Sequence, residues 1–147
     1  MWQDDVVDCA RTWFGTKYFF GQLVKGVGAD CGTFIIGVFR EVGLCPKTLE
    51  LTRKYNRQAS QNVIESIFNK ELIATGLFEK VWSSMKDGYP PKMEKGDLLV
   101  FKNPSRGDGH IAIYTGEGTI IHCTERGGVE EIKVSKQNVS SVWRYKG

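Results

Sequence analysis

Two histidines, four prolines and four cysteines are all that this chain of 147 residues offers of those types. The cysteines, Cys9, Cys31, Cys45 and Cys123, follow no CxxC or Cys/His spacing, which excludes the common zinc and dithiol redox motifs. That spacing neither demands nor bars two disulfides. Two histidines without a third well-placed ligand make a poor zinc site, so neither metal nor cofactor is expected. No apolar run approaches the roughly 18 residues of a membrane span. The start, Met1-Trp2-Gln3-Asp4-Asp5, lacks the basic and apolar regions of a signal peptide, so synthesis in the cytoplasm without an export signal is expected. Charge of one sign is scarcely in excess. The net value of +3 is too small to argue for nucleic acid, though it would suit an anionic polymer. Gly26 and Gly28 precede a helix without completing a dinucleotide fingerprint. Repeats, low-complexity stretches and linkers are missing too, so one domain is expected over residues 1–147.

What is present is ordinary in bulk, with 41% hydrophobic and 25% charged residues. The informative stretch is Gly28-Ala29-Asp30-Cys31-Gly32-Thr33-Phe34-Ile35-Ile36-Gly37-Val38-Phe39. Asp30 is a good N-cap, because its carboxylate can accept the first free amides of a helix. Cys31, Phe34, Ile35, Val38 and Val42 then share one helical face. The helix should run to about Val42, with Gly43 as a C-cap and Pro46 blocking continuation. A thiol at that N-terminus would have its pKa lowered by the helix dipole, which favours the nucleophilic thiolate. A small buried core cysteine is the rival reading of the same position.

Residues 6–14 read as a shorter first helix, ended by Gly15, with Val6, Cys9, Ala10 and Trp13 on one face. An aromatic loop, Thr16-Lys17-Tyr18-Phe19-Phe20-Gly21-Gln22, follows, and its aromatics suit either core or cleft. Residues 61–77 carry a third helical pattern. From Gly96 the period changes. Strands are expected at 97–101, 110–114, 119–123, 131–134 and 139–145, with Val81-Trp82 as a further short piece. Turn chemistry separates them at 104–109, 115–118 and 126–128. Helices first and closely spaced strands after describe an α+β domain with an antiparallel sheet of about five strands.

Both histidines fall in one hairpin. His110 and His122 share a face if the loop around Thr115-Gly116-Glu117-Gly118 has an odd number of residues, and oppose each other if it has two. With the odd loop the chain has the parts of a triad: a thiol nucleophile, a histidine that takes and returns a proton, and a polar group that orients it. Cys123, next to His122, would point to the other face as a core residue.

The ordered set Gly15-Thr16-Lys17-Tyr18-Phe19-Phe20-Gly21, Asp30-Cys31-Gly32, Gly96-Asp97-Leu98-Leu99-Val100-Phe101, His110-Ile111-Ala112-Ile113-Tyr114-Thr115-Gly116 and Ile120-Ile121-His122 resembles the NlpC-type cell-wall peptidases. These are papain-like cysteine enzymes, and the resemblance covers nearly the whole chain. It implies a central antiparallel sheet packed against a helix with the nucleophile at its N-terminus. It implies Cys31 as nucleophile, His110 as general base and acid, and His122 as the residue orienting His110. Tyr18, Asp30 and Gly32 would lie at the substrate cleft. The implied reaction is hydrolysis of peptide bonds in peptidoglycan stem peptides, such as γ-D-glutamyl–diamino acid. The spelling Val27-Gly28-Ala29-Asp30-Cys31 and Gly37-Val38-Phe39-Arg40-Glu41 is more similar to the phage and prophage branch. Phage-tail proteins would then be partners, and the enzyme would be virion-associated or released to act on the wall. Serine and glycine commonly follow the cysteine in such enzymes, whereas this chain has Gly32 and Thr33, and Lys17 stands where proline is common. Acyl transfer or amidation by the same triad, and a non-catalytic tail component, are the competing functions.

Overall fold

The computed structural model describes residues 1–46, 76–102 and 109–147. The expected helix at 61–77, except its last two residues, lies outside the described residues, as does most of the turn at 104–109.

The first helix, α1, spans Trp2–Arg11, beginning and ending earlier than its apolar face suggested. Val6, Cys9 and Ala10 are buried, and Trp13 follows them into the core from the turn beyond. The second helix, α2, spans Cys31–Glu41. It is not amphipathic with one buried face; every residue from Gly32 to Phe39 is buried. Such a helix is central, and its neighbours explain the burial. The main sheet, through its strands at His110–Tyr114 and Thr119–Thr124, packs against it, as do α1 and a small sheet that themselves touch the main sheet.

Gly37 of α2 makes room for Trp13, in the turn after α1, and for Leu23 of the small sheet. A Cβ there would stand 2.4 Å from the Trp13 ring and 2.8 Å from Leu23, so the missing side chain is the space the indole fills. Trp13 also meets Phe34 edge-on at 5.7 Å. Gly37→Ala should therefore lose stability even though alanine favours a helix by about 1 kcal/mol. Overpacking of this kind costs about 1–3 kcal/mol, so a net loss of about 1–2 kcal/mol is expected from the urea midpoint. An unchanged or raised midpoint would show that the indole yields.

The main sheet has six strands in the order β4-β9-β5-β6-β7-β8, every neighbouring pair antiparallel. These are β4 Phe78–Ser83, β5 Leu98–Phe101, β6 His110–Tyr114, β7 Thr119–Thr124, β8 Gly128–Lys133 and β9 Val139–Tyr145. The α+β architecture expected from the sequence is present, with its helices at the N-terminus. The sixth strand is β4, which extends the piece at Val81-Trp82 and forms one edge. Strand β8 begins three residues earlier than expected.

Both faces of the sheet are covered, so its inner strands read as unbroken apolar runs. Ile111, Ile113, Ile121 and Cys123 belong to the core that includes α2. Leu99, Phe101, Ala112 and Ile120 belong to a second cluster with Trp82 and Val142 on the opposite face. At the start of β5, the fully buried Asp97 takes a two-pronged bond from Arg144 of β9, at 2.9 and 2.8 Å.

The small sheet joins β1 Lys17–Tyr18, β2 Leu23–Val24 and β3 Gly28–Ala29 in the order β1-β3-β2. This region reads as loop in sequence, because strands of two residues show no alternation. Its role is to deliver the chain from β3 directly to Asp30 at the head of α2. All four cysteines are free thiols. No helix among the described residues is long and apolar enough to cross a membrane.

Candidate active site

Asp30 begins the site. It is 1% exposed and extended in backbone, and its Oδ1 accepts the amides of Gly32 at 3.0 Å and Thr33 at 2.8 Å. Its Oδ2 accepts the Gly21 amide at 2.8 Å, which ties the aromatic loop to the helix start. Thr33 returns the cap: its hydroxyl accepts the Asp30 amide at 2.8 Å and donates to the Gln22 carbonyl at 2.6 Å. This is a capping box with an extra anchor. The hydroxyl at position 33 is thus committed to holding the helix start. Thr33→Val, which keeps the shape and removes the hydroxyl, should cost about 1–2 kcal/mol in chemical denaturation, and Thr33→Ser should cost much less. Equal losses for the two would mean that the methyl, not the hydroxyl, matters.

Cys31 occupies the first position of the capped helix and keeps a partly exposed edge. The helix head meets the sheet at the start of β6, where the backbone amides of Ile111, next to His110, and of Gly32 lie near the sulfur. These two amides favour the thiolate. They are outweighed by desolvation, and the Asp30 carboxylate adds repulsion, so the thiol is pushed up to about 12. The expectation of a lowered thiol pKa is therefore reversed. Surrounding protein strips water from the sulfur, and the carboxylate that caps the helix counters the helix dipole.

The histidine hairpin satisfies the parity condition. The Thr115 amide bonds the Thr119 carbonyl at 3.0 Å, which leaves a three-residue loop. Gly116 and Gly118 supply its left-handed positions, at φ +87° and +82°. Ala112 therefore stands opposite His122, and His110 lies diagonally across from it on the same face. His110 Nε2 is 2.8 Å from His122 Nδ1, and the rings meet edge-on at 4.8 Å. Phe101, paired with His110 across β5 and β6, lies against the His110 ring at 6.1 Å. Burial, and secondarily His122, push His110 down to about 3. His122 is 5% exposed and is also shifted down by burial, against an opposing pull from Glu130. Both imidazoles are neutral at neutral pH.

Glu130 is the residue that sequence reasoning missed. It stands opposite His122 in the β7–β8 ladder, and its Oε2 is 3.0 Å from His122 Nε2. The neighbouring Glu131 turns to the other face, where it binds Arg11 of α1 at 3.0 Å and Thr119 at 2.8 Å. A hairpin centred on Arg126 would have revealed the pairing, had β8 been started at Gly128.

Of the other candidates, Tyr18 packs partly buried against the main core and pairs with Ala29, two residues before Cys31. Gly32 is buried, with its amide on Asp30. Phe19 is 47% exposed, so the aromatic loop is divided between core and surface. Cys123 is fully buried on the α2 side of the sheet and donates to the Ala29 carbonyl at 3.2 Å. Among the described residues no group of three His, Cys, Asp or Glu side chains could hold a metal ion. The site therefore places a thiol at a helix head, beside a strand that starts with a neutral histidine. A second histidine and a carboxylate back that histidine in line.

Solved structures share this architecture. The NlpC/p60 domain of the peptidoglycan hydrolase SagA superposes with a TM-score of 0.59 at 20% identity, covering 95% of this chain and 96% of that one. An NlpC/P60 family protein from Bacillus cereus gives 0.63 at 20% identity, covering 99% of this chain and 40% of that one. The peptidoglycan hydrolase RipB from Mycobacterium tuberculosis gives 0.57 at 20% identity, covering 97% and 63%. This chain thus spans less than two thirds of the latter two proteins. No curated protein sequence matches it. The model of the NlpC/P60 family matches residues 15–145, which takes in α2 and all six strands of the main sheet: the chain belongs to the NlpC/P60 family.

Proposed function

We propose that this chain is a cysteine peptidase that hydrolyses peptide bonds in peptidoglycan stem peptides, such as γ-D-glutamyl–diamino acid. The observation that carries the reading is the 2.8 Å contact between His110 and His122 beside the head of the Cys31 helix, in a chain of this family. Cys31 attacks the amide carbonyl as its proton passes to His110, and the carbon–sulfur bond forms while the carbonyl pair moves to oxygen. The Cys31 amide at the helix head, where the dipole is positive, stabilises that oxyanion, since the Gly32 and Thr33 amides are given to Asp30. His110 returns the proton to the leaving amine, and water then releases the acyl group from sulfur. Tyr18 stands beside the nucleophile on the substrate side, and Asp30 and Gly32, both buried, hold the helix head behind it. Delivery to the wall on a phage tail, or by release on lysis, rests on the branch resemblance of residues 27–31 and 37–41 alone.

The test is mass spectrometry of muropeptides after digestion of purified peptidoglycan. Hydrolysis predicts fragments whose masses sum to the parent plus one water, with a new amine and a new carboxyl terminus at one peptide bond. Products joined to an added amine would instead identify acyl transfer, and intact muropeptides would identify a non-catalytic component.

A further inference from the structure

We propose that Glu130 is a positioning residue: through His122 it fixes the histidine tautomers so that Nδ1 of His110 is left bare to take the Cys31 proton. The inference rests on the proposed reading of Cys31 and His110. The carboxylate of Glu130 can only accept. Glu130 Oε2, at 3.0 Å, therefore takes a proton from His122 Nε2. Both imidazoles are held neutral by burial, so His122, with its proton on Nε2, has a bare Nδ1. That nitrogen lies 2.8 Å from His110 Nε2, which must then be the donor. A neutral His110 with its proton on Nε2 has its lone pair on Nδ1. One acceptor at the end of the row thus determines which atom of His110 can act as base, a setting that the orienting member of a triad usually supplies directly.

The protein holds the carboxylate in place. Register sets Glu130 opposite His122, and a Cβ on Gly127 would fall on the carboxylate, at 2.0 Å from Oε1. Thr124 adds a weak bond to Oε2 at 3.5 Å while accepting the Gly127 amide at 3.0 Å. The amide of Val129 bonds the Thr16 carbonyl at 2.9 Å, which fixes the strand against the loop before β1. Glu130 itself is 37% exposed, so it can be replaced without opening the core.

Histidine side-chain nitrogen NMR of the ¹⁵N-labelled protein reads the tautomers without any turnover. Wild type should show the proton on Nε2 in both rings. Glu130→Leu should give mixed tautomers at His110 and lower kcat roughly tenfold or more, with KM within about twofold. Glu130→Gln keeps a carbonyl acceptor and should retain the Nε2 tautomers and most of kcat. Glu130→Ala supplies the same comparison should the leucine variant fold poorly. Wild-type tautomers in the leucine and alanine variants, or a fall in kcat with unchanged tautomers, would overturn the inference. A wild-type protein that leaves peptidoglycan intact yet shows the tautomer shift on substitution would sink the peptidase reading and leave the relay standing.

Discussion

Cys31→Ala should abolish hydrolysis of peptidoglycan and leave the fold unchanged. Removing the nucleophile of a triad costs on the order of 10^4–10^6 in rate, because the remaining groups cannot form the covalent intermediate. Stability should scarcely move. Cys31 keeps a partly exposed edge, alanine is the best helix former, and the cap on α2 uses Asp30 and Thr33 rather than the thiol. Muropeptide release and a thermal melt check the two halves separately. Full hydrolysis by the variant would remove Cys31 from the chemistry, and a large loss of stability would make it a core residue. The state of the thiol at rest gives a second measurement. With the thiol pushed up to about 12, iodoacetamide should label Cys31 more slowly than free cysteine at pH 7, and the rate should keep rising above pH 9. Labelling with an inflection below pH 7 would mean a preformed thiolate–imidazolium pair.

The contrast between legible and hidden features follows the range of the interactions. The Asp30 cap and the Cys31 helix were readable because capping and 3.6-residue periodicity are local. The histidine pairing could be reduced to a question of parity, and Gly118 already favoured the odd loop that the structure shows. The two-residue strands of the small sheet left no pattern to read. Glu130 was hidden by a boundary: with β8 begun at 131 in place of Gly128, its opposition to His122 could not be counted. The thiol pKa went the wrong way for a different reason. A helix terminus is visible in sequence, whereas the protein packed around the sulfur is tertiary, and desolvation outweighs the dipole here. The substitution of Gly32 and Thr33 for the common serine and glycine resolves in part, since the Thr33 hydroxyl serves the cap and the Gln22 carbonyl.

His110→Ala should lower kcat by roughly 10^4-fold, near the upper end for general acid–base catalysis, because the same residue removes the thiol proton and protonates the leaving amine. Its pH signature separates a base from a packing residue. A base works only when neutral, and burial holds His110 down to about 3 against an ordinary value of 6.5. The acid limb of kcat/KM should therefore lie well below the usual histidine range, with activity persisting at pH 5. An acid limb near 6.5 would show that His110 is solvated during catalysis or that another group is the base. Stability should carry the same signature. Between pH 6.5 and about 3 the unfolded chain binds a proton at this position that the folded chain refuses, so the stability from His110 is full above 6.5 and is lost as pH falls through that window. His122, shifted in the same direction, adds to the loss. The alanine variant lacks the titrating ring, so the stability gap between wild type and variant should narrow on acidification from pH 7 to 4. A gap independent of pH would place His110 in water, where burial could not hold its imidazole neutral.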